Sequence, residues 1–316
     1  IGKNAFLKTK LTGLDLSDAA KLKSIGAKAF RNTRITGTIE TPFSAPRYKG
    51  SSFPKGVSIV WTPPGLKECA VAPSGTEPCW ELADTDMTDI PDGFLQSNPD
   101  LKGTLKLGAA VKTIGDGAFE KTKLTGLDLS NAASLVSIGD FAFSVDGDIT
   151  GTLVIPANVK TLGIGAFYGT KLKGLDLSNA ASLVSIGYYA FQRTDITGTL
   201  VIPANVKTIG DGAFAYTKLT GLDLSDAASL VSIGLRAFGY TDITGTLVIP
   251  AKVETIGESA FYDTDITGLD LSKAASLVSI GHDAFRNTGI MGTLVIPANV
   301  DIGDNPFPPG VTIVKG

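Results

Sequence analysis

Two neighbouring segments, GTLVIPANVKTIGDGAF (198–214) and LTGLDLSDAASLVSIG (219–234), decide the fold of this 316-residue chain. Near-identical copies of both segments recur along the chain, and the two kinds alternate. The phenylalanine of an Ala-Phe dipeptide marks the period, and single steps are 23 or 24 residues. An internal repeat of this length indicates stacked coils that share one continuous core. The marked positions are Phe6, Phe30, Phe119, Phe143, Phe167, Phe191, Phe214, Phe238, Phe261 and Phe285.

Each segment contains a short alternating stretch that predicts a strand. Leu200 and Ile202 point to one side in the first kind, and Pro203 then ends the strand. In the second kind, Ser225 and the following Ala-Ala predict a single helical turn that the hydroxyl caps. The Ile-Gly before Ala-Phe predicts a bend at which glycine takes backbone angles that other residues avoid. The expected fold is an α/β repeat solenoid, with a parallel sheet on one face and short turns or helical segments on the other.

The pattern V-x-x-I-G-x-x-A-F after an Ile-Pro strand resembles the BspA-type class of leucine-rich repeats. The resemblance implies a leucine-rich-repeat solenoid, and proteins of this class are often cell-surface adhesins of host-associated microbes. This chain departs from the class in one column, because threonine stands where cysteine is common, three residues after the phenylalanine. We expect these threonines to be buried and to hydrogen-bond neighbouring backbone groups. They are Thr33, Thr122, Thr170, Thr194, Thr217, Thr241, Thr264 and Thr288.

Residues 40 to 90 interrupt the repeats. The stretch FPKGVSIV (53–60) resembles the chain end, FPPGVTIV (307–314), so the same terminating sequence occurs twice. We expect residues 1–61 to end a first array, 62–84 to form a linker or cap, and 85–316 to form a second array, because open solenoid ends need atypical capping units. One continuous solenoid with a looped-out insertion is the alternative. Cys69 and Cys79 lie in this segment, and either a local disulfide or two buried thiols would fit.

Composition argues against several function classes. Lys and Arg number 28 against 31 Asp and Glu, which gives a net charge of −3 with no basic stripe, so nucleic acid is not expected as a partner. No apolar run is long enough to span a membrane. The chain has one histidine, His282, at a variable repeat position, and it has no phosphate-binding glycine motif. We therefore predict no enzymatic activity, no cofactor and no metal site.

The outward columns of the predicted sheet are the best functional candidates. Aspartates project from one kind of coil and threonine with valine from the other, so that acidic and apolar rungs alternate. The aspartates would contact an extended or basic partner, or alternatively only bond neighbouring groups and discourage sheet aggregation. The predicted sheet-face residues are Asp128, Asp176, Asp223, Asp270, Val154, Val201, Val248, Val295, Thr152, Thr199, Thr246 and Thr293.

A second candidate column contains tyrosines just after the phenylalanine, which either bind a partner or pack along the solenoid edge. They are Tyr168, Tyr216, Tyr240 and Tyr262. From these columns and the resemblance we predict an extracellular or cell-surface adhesion module with a protein or glycan ligand. The alternatives are a structural protein that self-associates through its array ends, and a lattice that binds glycan or ice through its spaced threonines.

Overall fold

The structure is a computed structural model that describes residues 3–14, 28–35, 38–41, 58–61, 66–69, 78–82, 87–98, 101–145 and 148–316. Within these residues the chain forms strands joined by turns. The strands belong to two sets, and each repeat contributes one strand to each set. We call the two resulting surfaces the short-strand sheet and the long-strand face.

The short-strand sheet is one parallel sheet of ten two-residue strands. The Thr/Ser-Ile dipeptide of each repeat pairs in register with the same dipeptide of the next repeat, as in Ser185 with Thr208 and Ile186 with Ile209. The isoleucines point into the core and the hydroxyl residues point outward. The strands are Asp89–Ile90, Thr113–Ile114, Ser137–Ile138, Thr161–Leu162, Ser185–Ile186, Thr208–Ile209, Ser232–Ile233, Thr255–Ile256, Ser279–Ile280 and Asp301–Ile302.

The long-strand face consists of parallel strands that are hydrogen-bonded mainly in pairs. Three pairs join a Thr-Leu-Val coil to the Leu-Asp coil that follows it, with Leu200 beside Leu222 and Val201 beside Asp223. The first long strand differs in placing Lys106 beside Asp128, and the last pair joins Thr293–Ile296 to Thr312–Lys315. The strands are Lys102–Leu107, Lys123–Asp128, Thr152–Val154, Gly174–Asp176, Thr197–Val201, Lys218–Asp223, Thr244–Val248, Asp265–Asp270, Thr293–Ile296 and Thr312–Lys315.

The core contains a continuous stack of phenylalanine rings beside buried leucine, isoleucine, valine and alanine side chains. From Phe119 to Phe285 successive rings lie parallel, with centroids 5.1 to 5.4 Å apart. Phe307 of the terminating sequence extends the stack, 5.6 Å from Phe285. The threonine column is buried as expected except for the half-buried Thr288, and Thr194 Oγ1 donates a hydrogen bond to the carbonyl oxygen of Phe191 at 2.9 Å. The same bond is formed by Thr33, Thr170, Thr217, Thr241, Thr264 and Thr288.

The expected helical turn is not confirmed, because the described residues contain no helix. After the long strand, the Ala227 amide donates to the Leu224 carbonyl oxygen and the Leu230 amide to that of Ala227. These bonds span three residues, so each turn closes before the four-residue bond of an α-helix can form. The few residues between the two strands cannot repay the cost of starting a helix.

The prediction that the Ile-Gly glycine takes backbone angles that other residues avoid is also wrong. The glycines with positive φ lie at other repeat positions, whereas Gly187 and Gly210 are not among them. A Cβ placed on Gly187 would lie 2.5 Å from the carbonyl oxygen of Gly163 in the preceding coil. Close contact between coils, rather than an unusual backbone angle, therefore requires glycine here.

The segment before residue 101 contains two short strand pairs. Thr38–Thr41 pairs in parallel with Ser58–Trp61, in the same manner as Thr293–Ile296 with Thr312–Lys315. Leu66–Glu68 then runs antiparallel to Cys79–Leu82, which pairs in parallel with Lys102–Leu107. A disulfide joins Cys69 to Cys79, with Cα atoms 5.4 Å apart. Trp80 Nε1 donates a hydrogen bond to the Lys102 carbonyl oxygen at 2.8 Å, which holds this hairpin against the first long strand.

Candidate binding surfaces

The aspartates and valines predicted to face outward form one row across the long-strand face. Strand register places Val154 beside Asp176, and the same relation holds for Val201 with Asp223 and for Val248 with Asp270. The valines are exposed, from 39% at Val248 to 59% at Val295, and the aspartates are half-buried. Acidic and apolar side chains thus alternate from coil to coil. We call this the Asp/Val row.

Each aspartate side chain of this row accepts a hydrogen bond from the backbone amide of the serine two residues later. The Oδ1 atoms of Asp176 and Asp223 accept the backbone amides of Ser178 and Ser225 at 2.8 Å, and Asp128 and Asp270 make the equivalent bonds to Ser130 and Ser272. Hydrogen bonds from the serine side chain and amide lower the pKa of Asp176 and Asp270, and those from the Ser225 amide and side chain lower the pKa of Asp223. Asp176, Asp223 and Asp270 therefore stay negatively charged at neutral pH.

The threonines of the long-strand face pack against the next coil. A Cβ placed on Gly221 would lie 2.6 Å from Thr199 Oγ1, because the threonine side chain occupies the space beside that glycine. Thr152 lies against Gly174 and Thr246 against Gly268 in the same way. These outward threonines thus have a packing role between paired coils, although all of them, including Thr293, remain exposed.

Three of the four predicted tyrosines contact one another along the turn edge. The Tyr216 and Tyr240 rings are stacked with centroids 4.5 Å apart, and Tyr262 follows at 5.3 Å with its ring tilted. The Arg193 guanidinium lies 5.5 Å from the Tyr216 ring centroid. Asn287 Nδ2 donates a hydrogen bond to the Tyr262 hydroxyl at 3.0 Å. We call these five residues the tyrosine row.

Tyr168 lies apart from this row, two coils before Tyr216. Tyr216 and Tyr240 are the second residue after the phenylalanine, at φ of 60°, whereas Tyr168 and Tyr262 are the first. The left-handed backbone of the second position sets the direction of the Tyr216 and Tyr240 rings. Tyr216 is 45% exposed and Tyr240 is 37% exposed.

Sequence reasoning did not single out three further exposed aromatic residues, Phe141, Tyr188 and Tyr189. They are 43%, 51% and 42% exposed, and the Phe141 ring covers Gly165 in the next coil as Tyr189 covers Gly212. Their signal in the sequence is an aromatic residue at the variable positions between Ile-Gly and Ala-Phe. They extend the aromatic surface of the turns.

Charges at the starts of the long strands pair with one another. Asp195 accepts hydrogen bonds from Lys173 Nζ and Lys218 Nζ, each at 2.7 Å, and these bonds lower the pKa of Asp195 to about 2. Lys171 forms a similar ion pair with Asp148. Lysine and aspartate alternate here from Lys123 to Asp242, so Asp148 and Asp195 find lysine partners inside the molecule.

The part of the chain that the structure describes holds no cluster of three or more metal-ligating side chains. His282 is exposed, and its Nδ1 lies 3.2 Å from Asp283. A groove of about 490 Å³ lies between Leu269–Ser272, Thr293–Pro297 and Gly316, where two strand pairs meet. No described helix is long and apolar enough to cross a membrane.

A family model for the BspA type leucine rich repeat region matches residues 1–59, 88–196 and 184–309, in six copies. The chain belongs to this family. The BspA-type repeat therefore accounts for both sheets of the solenoid, and its match spans residues on either side of the disulfide hairpin. No curated protein matches this BspA-type chain.

Several solved structures are similar to this BspA-type chain. The crystal structure of the pneumococcal vaccine antigen PcpA is 18% identical and has a TM-score of 0.48, with 79% of this chain and 80% of the other covered. A leucine-rich repeat protein from Bacteroides ovatus is 16% identical over 80% and 89% of the two chains, with a TM-score of 0.38. A leucine rich cell surface protein from Faecalibacterium prausnitzii is 18% identical over 81% and 76%, with a TM-score of 0.37.

Proposed function

We propose that this chain is a non-enzymatic recognition module of a cell surface, which binds a protein partner through the tyrosine row. Membership of the BspA-type family supports the surface role. The observation that carries the proposal is the exposed, stacked pair of Tyr216 and Tyr240, flanked by Arg193 and Tyr262. Tyrosine and arginine are the residues that most often dominate protein interfaces.

The tyrosine row is preorganised for binding. Stacking holds each ring against a neighbour on the rigid turn edge, so little side-chain entropy remains to be lost when a partner docks. Burial, and then the neighbouring tyrosines, raise the pKa of Tyr240, so its hydroxyl stays protonated and can donate a hydrogen bond at neutral pH. The row therefore offers flat apolar area, hydroxyl donors and one guanidinium cation.

The Asp/Val row remains a predicted contact surface for an extended or basic ligand. Its charge supports that prediction, whereas the bonds from each aspartate to a serine support a structural role. A glycan ligand remains the alternative to a protein. The sequence-based alternative of association through array ends is supported by the last strand, Thr312–Lys315, where Ile313 and Val314 are 39% and 44% exposed.

The test is binding of the purified chain to immobilised extracellular-matrix proteins and glycans. We would compare the parent with Y216S/Y240S, with D176K/D223K, and with Tyr188→Ser as a control that removes one exposed tyrosine outside the row. The proposal predicts saturable binding to a protein that Y216S/Y240S lowers at least about tenfold, since hot-spot aromatics contribute about 2 kcal/mol or more. The other two variants should bind as the parent does.

Other outcomes would reject the tyrosine row as the site. Loss of binding in D176K/D223K alone would transfer the site to the Asp/Val row. Binding to glycans alone would replace the protein partner. Circular dichroism of each variant would show that the solenoid is intact, so a loss of binding could not come from unfolding.

We also infer that the chain contains two arrays, 1–61 and 85–316, separated by the segment 62–84. The matching strand pairs Thr38–Thr41 with Ser58–Trp61 and Thr293–Ile296 with Thr312–Lys315 support a terminator used twice. The antiparallel disulfide hairpin before Lys102–Leu107 supports a cap at the start of the second array.

A further inference from the structure

The short-strand sheet is bordered by an outward row of alternating lysine and valine. Each member immediately precedes a strand of the short-strand sheet. Lysine or Glu254 precedes the strands that begin with threonine, and valine precedes the strands that begin with serine. The lysines are exposed, and among the valines Val184 is 36% and Val278 is 57% exposed. We call this the Lys/Val row, and in chain order it contains Lys112, Val136, Lys160, Val184, Lys207, Val231, Glu254 and Val278.

The described residues show no ion pair between charged members of this row. Valine separates successive lysines, as it separates successive aspartates in the Asp/Val row. Among the described residues no ion pair joins Lys160 or Lys207, and none joins Asp176 or Asp223. Lys112 differs only because it lies near Asp89. Hydrogen bonds from Thr113 and Thr88 lower the pKa of Asp89 most, and the Lys112 charge lowers it further. The starts of the long strands, by contrast, pair their charges internally.

The two rows have the same period. Both repeat every second coil, and because stacked strands lie about 4.8 Å apart, like charges in either row lie about 10 Å apart. The coils of Val154 and Val201 carry Lys160 and Lys207 in the other row, the coil of Val248 carries Glu254, and the Leu-Asp coils carry valine and aspartate. A second molecule that places its lysines against these aspartates therefore also places valine against valine.

We propose that the Lys/Val row of one chain docks on the Asp/Val row of a second copy. Lys112, Lys160 and Lys207 would face three successive aspartates, with valine pairs between them. Opposite charge on two separate surfaces of the same molecule favours this partner, since a foreign ligand would have to match the two-coil period independently. Glu254 follows the lysines and restricts docking to registers that keep it away from aspartate.

The proposed assembly would not close into an oligomer of fixed size. A contact between two different surfaces leaves both surfaces free at the ends, so molecules add side by side without closing. The contact uses neither the tyrosine row nor the exposed end strand. It is therefore independent of the proposed recognition function and differs from association through array ends.

Charge reversal provides the test, in sedimentation velocity of the full chain at rising concentration. The parent should exceed its monomer mass of 32.7 kDa, and raising the salt from about 0.05 M to about 0.5 M should reduce association because exposed charges are screened. The triple variants K112E/K160E/K207E and D176K/D223K/D270K should each remain monomeric, because both surfaces then carry the same sign. An equal mixture of the two variants should assemble again.

The control is K121E/K171E/K252E, which has the same net charge as the first variant but leaves both rows intact, and it should associate like the parent. A monomeric parent at all concentrations would overturn the proposal. A mixture that stays monomeric would also overturn it, because only complementary rows predict rescue. Association that survives both reversals and high salt would instead identify the array ends as the contact. Far-ultraviolet circular dichroism would verify that each variant is folded.

Discussion

Replacing Phe214 with alanine should destabilise the solenoid more than any surface change. The Phe214 ring is 0% exposed and stacks between Phe191 at 5.4 Å and Phe238 at 5.3 Å. Burying about 150 Å² of aromatic surface at about 25 cal/mol per Å² contributes about 4 kcal/mol. Loss of two ring contacts and the cavity that remains bring the expected loss to about 4–5 kcal/mol of unfolding free energy.

The matched control is Phe307→Ala at the end of the same stack. Phe307 is 7% exposed and stacks on one ring only, Phe285 at 5.6 Å, so its loss should cost less. Because each coil contacts only its neighbours, the central gap should also divide the array into two parts that unfold separately. Urea unfolding followed by circular dichroism should therefore show a lower midpoint and a broader transition for Phe214→Ala than for Phe307→Ala.

Two outcomes would refute this reasoning. An equal loss of stability at Phe214 and Phe307 would mean that the rings do not act through nearest-neighbour stacking. A loss below about 2 kcal/mol at Phe214, smaller than a buried phenylalanine normally contributes, would mean that the core can close over the gap.

Two further predictions concern charge and domain organisation. Bonds from Lys173 and Lys218 hold the pKa of Asp195 at about 2, below its ordinary 3.8, so this stabilisation is complete above about pH 4 and is lost as the pH falls through 2. The difference in melting temperature between the parent and D195N should therefore be largest near neutral pH and disappear near pH 2; a constant difference would contradict the assignment. A fragment of residues 62–316 should unfold cooperatively with its disulfide intact, whereas a fragment without sigmoidal unfolding would favour one continuous solenoid.

The repeat period made the solenoid, its buried leucines and its threonine column predictable. Residues that must be buried in every coil recur at a fixed spacing, so a single sequence reports the core many times over. The hydroxyl of Thr194 and its bond to the Phe191 carbonyl follow from the same logic, because a buried polar group at a repeated position must find a local acceptor.

The aromatic contacts were only partly predictable. Tyr168 and Tyr262 both directly follow a phenylalanine, yet Tyr262 contacts Tyr240 in the adjacent coil whereas Tyr168 lies two coils from Tyr216. The sequence left the disulfide undecided for a similar reason, since only the antiparallel hairpin brings the Cα atoms of Cys69 and Cys79 to 5.4 Å. The tertiary arrangement of neighbouring strands and coils, rather than residue type, decided the ring contacts and the disulfide.

The sequence by itself thus determined the repeated coil, its apolar core and the alternation of charged and apolar positions. Only the tertiary structure decided that Thr/Ser-Ile dipeptides form a ten-stranded sheet, because a two-residue strand has no alternation of its own to detect. Register partners in that sheet lie 23 or 24 positions apart in the sequence, as Ser185 with Thr208 and Ser137 with Thr161. Which charges remain unpaired on the surface depends on this stacking, since it places Asp223 beside Val201 but Asp195 beside Lys173 and Lys218.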